Sequence, residues 1–166
     1  MKLTKTIVAA TLFAGVAMTA NAAGTGKVTL NGTITNSTCD ISLNGGAAVL
    51  DVGTYRSGDF VAGQQQGSVP LTVSMTNCTD GESGYLQVSG NTATGNTQIF
   101  TENDGGTIGF MMNYSGTTVT EGQNAANVTI SGTEAQEEFL VGMASVAAAP
   151  DAGNYTAPVT VNYIVE

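Results

Sequence analysis

The sequence predicts an all-β domain, a sandwich or barrel of several short strands. Three observations predict it. Apolar residues alternate with polar ones in run after run. Clusters of Gly, Asn, Asp and Ser separate those runs, and almost no segment carries helical spacing. The length of 166 residues fits one domain of ordinary size.

The first 22 residues read as an export signal rather than part of the fold. Lys2 and Lys5 form a positive start. Ile7 to Met18 is apolar apart from Thr11 and Gly15, and Ala20-Asn21-Ala22 is a small-x-small cleavage site. An apolar stretch this short does not span about 30 Å of hydrocarbon, so a membrane anchor is the poorer reading. Cleavage after Ala22 leaves two cations, Lys27 and Arg56, against thirteen acids. The product is then exported, either soluble or assembled outside.

Each later element follows from its pattern. Val28, Leu30, Gly32 and Ile34 share one face of a first strand, with Thr29, Asn31, Thr33 and Thr35 on the other. Leu71, Val73 and Met75 make a second run, and Leu86 with Val88 a short third. Ile108, Phe110, Met112 and Tyr114 make another, then Val128 with Ile130, then Phe139, Val141 and Met143. Val159, Val161, Tyr163 and Val165 close the chain with its cleanest alternation. Turns are expected at Asn44-Gly45-Gly46, Asp80-Gly81, Asp104-Gly105-Gly106, Ser115-Gly116 and Ala152-Gly153-Asn154. Thr133 to Phe139 has the composition for one helical turn, and Ala144 to Ala149 is ambiguous.

Composition excludes several functions. Four basic residues cannot neutralise a nucleic-acid backbone. The lack of His removes the usual neutral-pH general base and every His-dependent triad. Two cysteines cannot build a four-cysteine zinc site. Glu134, Glu137 and Glu138 are better read as a solvated segment than as an acid–base pair. Glu102 and Asp104-Gly105-Gly106 lack the spaced ligands of a calcium loop. Tyr55 and Phe60 suit packing better than a sugar-binding surface. No enzymatic activity, cofactor or metal is expected.

Export makes Cys39 and Cys78 legible. An oxidising compartment would join them, closing a loop of about forty residues worth roughly 4 kcal/mol in the chain-entropy model. A free reactive thiol is the alternative. Gly32 stands on an apolar face, which fits either a bulged first strand or a strand shaped for a groove on another molecule. The final run ends without a closing turn, as a strand at a sheet edge would, and such an edge must be covered.

The chain resembles the pilin subunits of chaperone–usher fimbriae, the type 1 and P pilus family. Gly26 to Thr35 followed by Cys39-Asp40-Ile41-Ser42 resembles the family's N-terminal extension and first strand, with Gly32 seven residues before Cys39. Val49 to Gly53 and Gly67 to Cys78 resemble the next two segments. Gly153-Asn154-Tyr155 with Val159 to Tyr163 resembles the C-terminal signature, although Val165 stands where an aromatic is usual.

The resemblance implies an incomplete immunoglobulin-like β-sandwich that a donor strand from a neighbouring subunit completes. It divides the chain into a signal peptide (1–22), a donor-strand extension (23–35) and a pilin domain (36–166). Val28, Leu30, Gly32 and Ile34 would enter the neighbour's groove. Gly153, Val159, Val161, Tyr163 and Val165 would form the groove edge that meets the chaperone or the donor strand. Burying three aliphatic side chains contributes roughly 5–9 kcal/mol before ordering costs. The implied function is a structural subunit that polymerises head to tail and supports cell adhesion. Implied partners are like pilins, a periplasmic chaperone, an outer-membrane usher and, through the fibre, a host receptor. The implied location is the cell surface. The competing reading is a self-contained secreted β-sandwich that binds carbohydrate or protein.

Overall fold

The structure, a computed structural model, describes residues 39–47 and 49–166. The described residues form two single 3-10 turns (Asn44–Gly46 and Ser57–Asp59) and ten strands: β1 (Asp40–Leu43), β2 (Gln66–Thr76), β3 (Ser83–Gly90), β4 (Thr92–Ala93), β5 (Asn96–Phe100), β6 (Ile108–Tyr114), β7 (Thr117–Thr118), β8 (Asn124–Thr129), β9 (Ala135–Ser145) and β10 (Val159–Val165). The larger sheet has the order β1-β2-β9-β6-β5-β4, with β7 on β6; the smaller is β10-β3-β8. Every pairing among these strands is antiparallel.

Alternation decides which face is buried. Leu71, Val73 and Met75 of β2 and Phe139 and Val141 of β9 meet Leu86 and Val88 of β3, Val128 of β8, and Val161 and Tyr163 of β10 in one core. Met112 joins that core. Its neighbour Met111 points the opposite way and packs with Ala93, Ile99 and Ala144 in a small second cluster. Turn chemistry also follows the sequence. Ser115 and Gly116, with φ of 47° and 81°, form a two-residue connection from β6 to β7, and positive φ at both positions is what so tight a turn requires.

Thr133 to Phe139 makes no helical turn. Ser131 and Glu134 form an isolated bridge and β9 starts at Ala135, because Ala135 to Val141 pairs with β2 and buries Phe139. Tertiary pairing overrides the helical preference of Ala, Gln and Glu there. Ala144 and Ser145 belong to β9, and the chain bends after them. Cys39 and Cys78 are joined by a disulfide, tying the start of β1 to the end of β2.

Candidate functional site

The C-terminal strand β10 positions the site. It pairs with β3 in an unbroken seven-residue register, from Val159 opposite Gly90 to Val165 opposite Gly84. Val161 (8 % exposed) and Tyr163 (6 %) point into the core, Val159 and Val165 are half-buried, and Thr160 and Ile164 face out. Among the described residues its other side has no strand partner. That side presents a row of backbone donors and acceptors next to an apolar inner face.

Among the described residues the larger sheet has seven strands and the smaller three, so part of the larger sheet's inner face has no described strand opposite. The segments around 49–60 and 150–158 wall that part off incompletely and leave a hollow of about 1190 Å³. Its apolar lining includes Leu43, Leu50, Phe110, Met143, Ala157 and Val159, all only partly buried although they pack on the core. Asp51, Glu102 and Asp151 lie among its polar lining. Gly153 does not lie on β10. It sits in the wall of the hollow with the Tyr155 ring 3.3 Å from where a Cβ would stand. The Tyr155 hydroxyl donates to the Asp151 carbonyl (2.8 Å), and the Tyr55 hydroxyl to the Val52 carbonyl (2.7 Å). Tyr55 meets the buried Phe60 edge-on, with ring centroids 6.4 Å apart.

Two tyrosines shape the electrostatics of the inner face. The Tyr114 hydroxyl donates to the Glu137 carboxylate (2.6 Å); that hydrogen bond, burial and the negative charge hold its pKa above the ordinary value. The hydroxyl of Tyr163 is buried without a hydrogen bond of normal geometry; burial first, then the nearby Glu82 carboxylate, raises its pKa. Glu137 is thus held by Tyr114, while Glu138 is exposed on the opposite face of β9. The described residues contain no cluster of three metal-ligating side chains.

The structure therefore brings Val159, Val161, Tyr163 and Val165 onto one inward row, with Gly153 in the adjoining wall. Val28, Leu30, Gly32 and Ile34 lie outside the described residues. Sequence reasoning missed Leu43, Leu50, Met143 and Ala157 as hollow-lining residues. The alternation of β9 marks Met143 as inward-facing, but no periodic signal tells which inward residues lack a covering strand.

Among the described residues this geometry defines a β-sandwich whose last strand is a sheet edge, with an apolar hollow at its Val159 end. A family model for fimbrial proteins matches residues 28–166, and the chain belongs to that family. It is a structural subunit of a pilus displayed at the cell surface. A solved chaperone–usher pilus is similar at 22 % identity with a TM-score of 0.62, covering 86 % of this chain and 96 % of that one. The P pilus rod subunit PapA is similar at 18 % identity with a TM-score of 0.65, covering 78 % and 99 %. Both share its immunoglobulin-like fold. No curated protein sequence matches the chain. Among the described residues no helix is long and apolar enough to cross a membrane.

Proposed function

We propose that the subunit polymerises by donor-strand exchange: residues 23–35 of one copy, freed by removal of the 1–22 signal, fill the groove beside β10 of the next. One observation carries this reading. Among the described residues β10 is paired on one side only, and the apolar hollow at its Val159 end is lined by partly buried residues packed on the core. A strand added there gains main-chain hydrogen bonds from the β10 edge and buries alternate side chains in the groove. Val28, Leu30 and Ile34 supply those side chains, and Gly32 marks a shallow point. Each contact is head-to-tail, so it propagates as a fibre rather than closing into a dimer.

The same edge needs covering before assembly. A periplasmic chaperone is the partner proposed for that stage, an outer-membrane usher for export, and a host receptor for the finished fibre. The chain's own role is structural rather than catalytic. The family and fold favour this reading over a self-contained binding module.

Deleting Ala23 to Ile34 tests it in cells that assemble the fibre. The truncated subunit is expected to accumulate bound to the chaperone and to leave surface filaments short of it. Its appearance in filaments at the normal level would refute donor-strand exchange.

A further inference from the structure

We propose that Lys27 pairs across the subunit joint with Glu166, and that this contact fixes the register of an antiparallel incoming strand. The inference rests on donor-strand exchange and adds a specificity determinant to it. It starts from charge. All thirteen carboxylates of the chain lie from Asp40 onward, where Arg56 is the only cation. Between Ala23 and Thr38 the only charged residue is Lys27. An arm whose charges are Lys27 and the α-amino group left by cleavage before Ala23 thus meets a strongly acidic body.

Length and parity then select the place. The donor run Val28 to Ile34 has the same number of residues as β10, Val159–Val165. Every strand pair in the structure is antiparallel, so an antiparallel addition continues the pattern. Full overlap in that sense sets Ile34 opposite Val159, Gly32 opposite Val161, Leu30 opposite Tyr163 and Val28 opposite Val165. Directly opposed residues share a face, so every inward donor residue then meets an inward residue of β10. The next pair along is Lys27 with Glu166, both on the outward face. Glu166 is held at this end by its backbone N–H, which donates to the Ser83 carbonyl (3.1 Å). Glu82, whose charge acts on Tyr163, adds to the negative field at this end.

The alternatives place Lys27 elsewhere. A slip of two residues keeps the parity but brings it opposite Ile164 or past Glu166. A parallel strand with full overlap sets it beside Pro158, at the end of the groove where Asp51, Glu102 and Asp151 lie. The charge pair therefore separates the full-overlap joint from its slipped registers, while the antiparallel sense follows the pattern of the existing strand pairs.

The experiment uses full-length chains in assembled fibres and reads dissociation of those fibres, which keeps effects on export out of the measurement. Lys27→Glu and Glu166→Lys are each expected to speed dissociation about two- to fivefold at low salt, the range of an exposed ion pair. High salt should shrink the difference. The double variant Lys27→Glu/Glu166→Lys should return to the native rate. A double variant no slower than the worse single, or singles that match the native fibre at low salt, would overturn the pairing. Rescue of Lys27→Glu by Asp151→Lys instead would overturn the antiparallel register. Fibres still form in each of these failures, so donor-strand exchange stands or falls separately, on the deletion of Ala23 to Ile34.

Discussion

Two tyrosine hydroxyls in similar positions do opposite work. Tyr114 donates to Glu137 at 2.6 Å, so Tyr114→Phe loses a hydrogen bond to a charged acceptor and is expected to cost about 1.5–3 kcal/mol. The Tyr163 hydroxyl is buried without a normal hydrogen bond, so Tyr163→Phe removes a desolvated polar atom and should be neutral or stabilising by up to about 1 kcal/mol. Thermal unfolding of assembled fibres, followed by circular dichroism, checks both. Equal losses in the two variants would contradict the assignment. The pH dependence has a definite sign. Both hydroxyls have folded-state pKa values above the ordinary tyrosine value of about 10. The folded chain keeps protons that the unfolded chain releases above that pH. Their contribution is complete below about pH 10 and fades as pH climbs through the raised folded values. Phenolate absorbance should therefore appear later in folded fibres than after unfolding.

At the scale of the strand, β10 depends on a neighbour with almost no side chain. Gly84 faces Val165 in the β3 register, and a Cβ there would meet the Ile164 carbonyl oxygen and lie 2.8 Å from the Tyr163 ring. Gly84→Ala is expected to push β10 away from β3 and to cost about 1–3 kcal/mol. Gly58, with open space around it, should tolerate the same change. The melting midpoints of the two variants give the comparison, and equal midpoints would show that β10 yields freely. Elements of this kind divide by how much of them alternation can express. β10 was fully legible because Val159 to Val165 alternates without interruption. β5 was missed because Asn96–Phe100 starts with polar residues and ends with Ile99 and Phe100 buried side by side, in different clusters, which breaks any period of two. The bulge in β2 between Gln66 and Val69 hid the first part of that strand in the same way.

For the molecule as a whole, the alternation predicts two-sided strands but not how many lie in each sheet, so the open groove was legible only through the resemblance to pilins. The imbalance between the sheets is a property of topology: it depends on which strands pair, and pairing is decided between residues far apart in sequence. An unfinished core also alters what the disulfide contributes. Cys39 and Cys78 are 39 residues apart, and closing that loop stabilises the domain by roughly 4 kcal/mol. A complete domain is stable by about 5–15 kcal/mol, and on the donor-strand reading a subunit with its groove empty is expected at the low end of that range or below it. Loss of the bridge before assembly should then leave too few folded subunits to polymerise. In the fibre, the proposed donor strand would offset the loss, because three aliphatic side chains would add roughly 5–9 kcal/mol before ordering costs. The double variant Cys39→Ser/Cys78→Ser is therefore expected to depress fibre yield steeply. Reductant applied to finished native fibres should lower their melting midpoint yet leave them folded and joined at room temperature. Normal yield from the double variant, or fibres that fall apart on reduction at room temperature, would show that the two sources of stability do not substitute for one another.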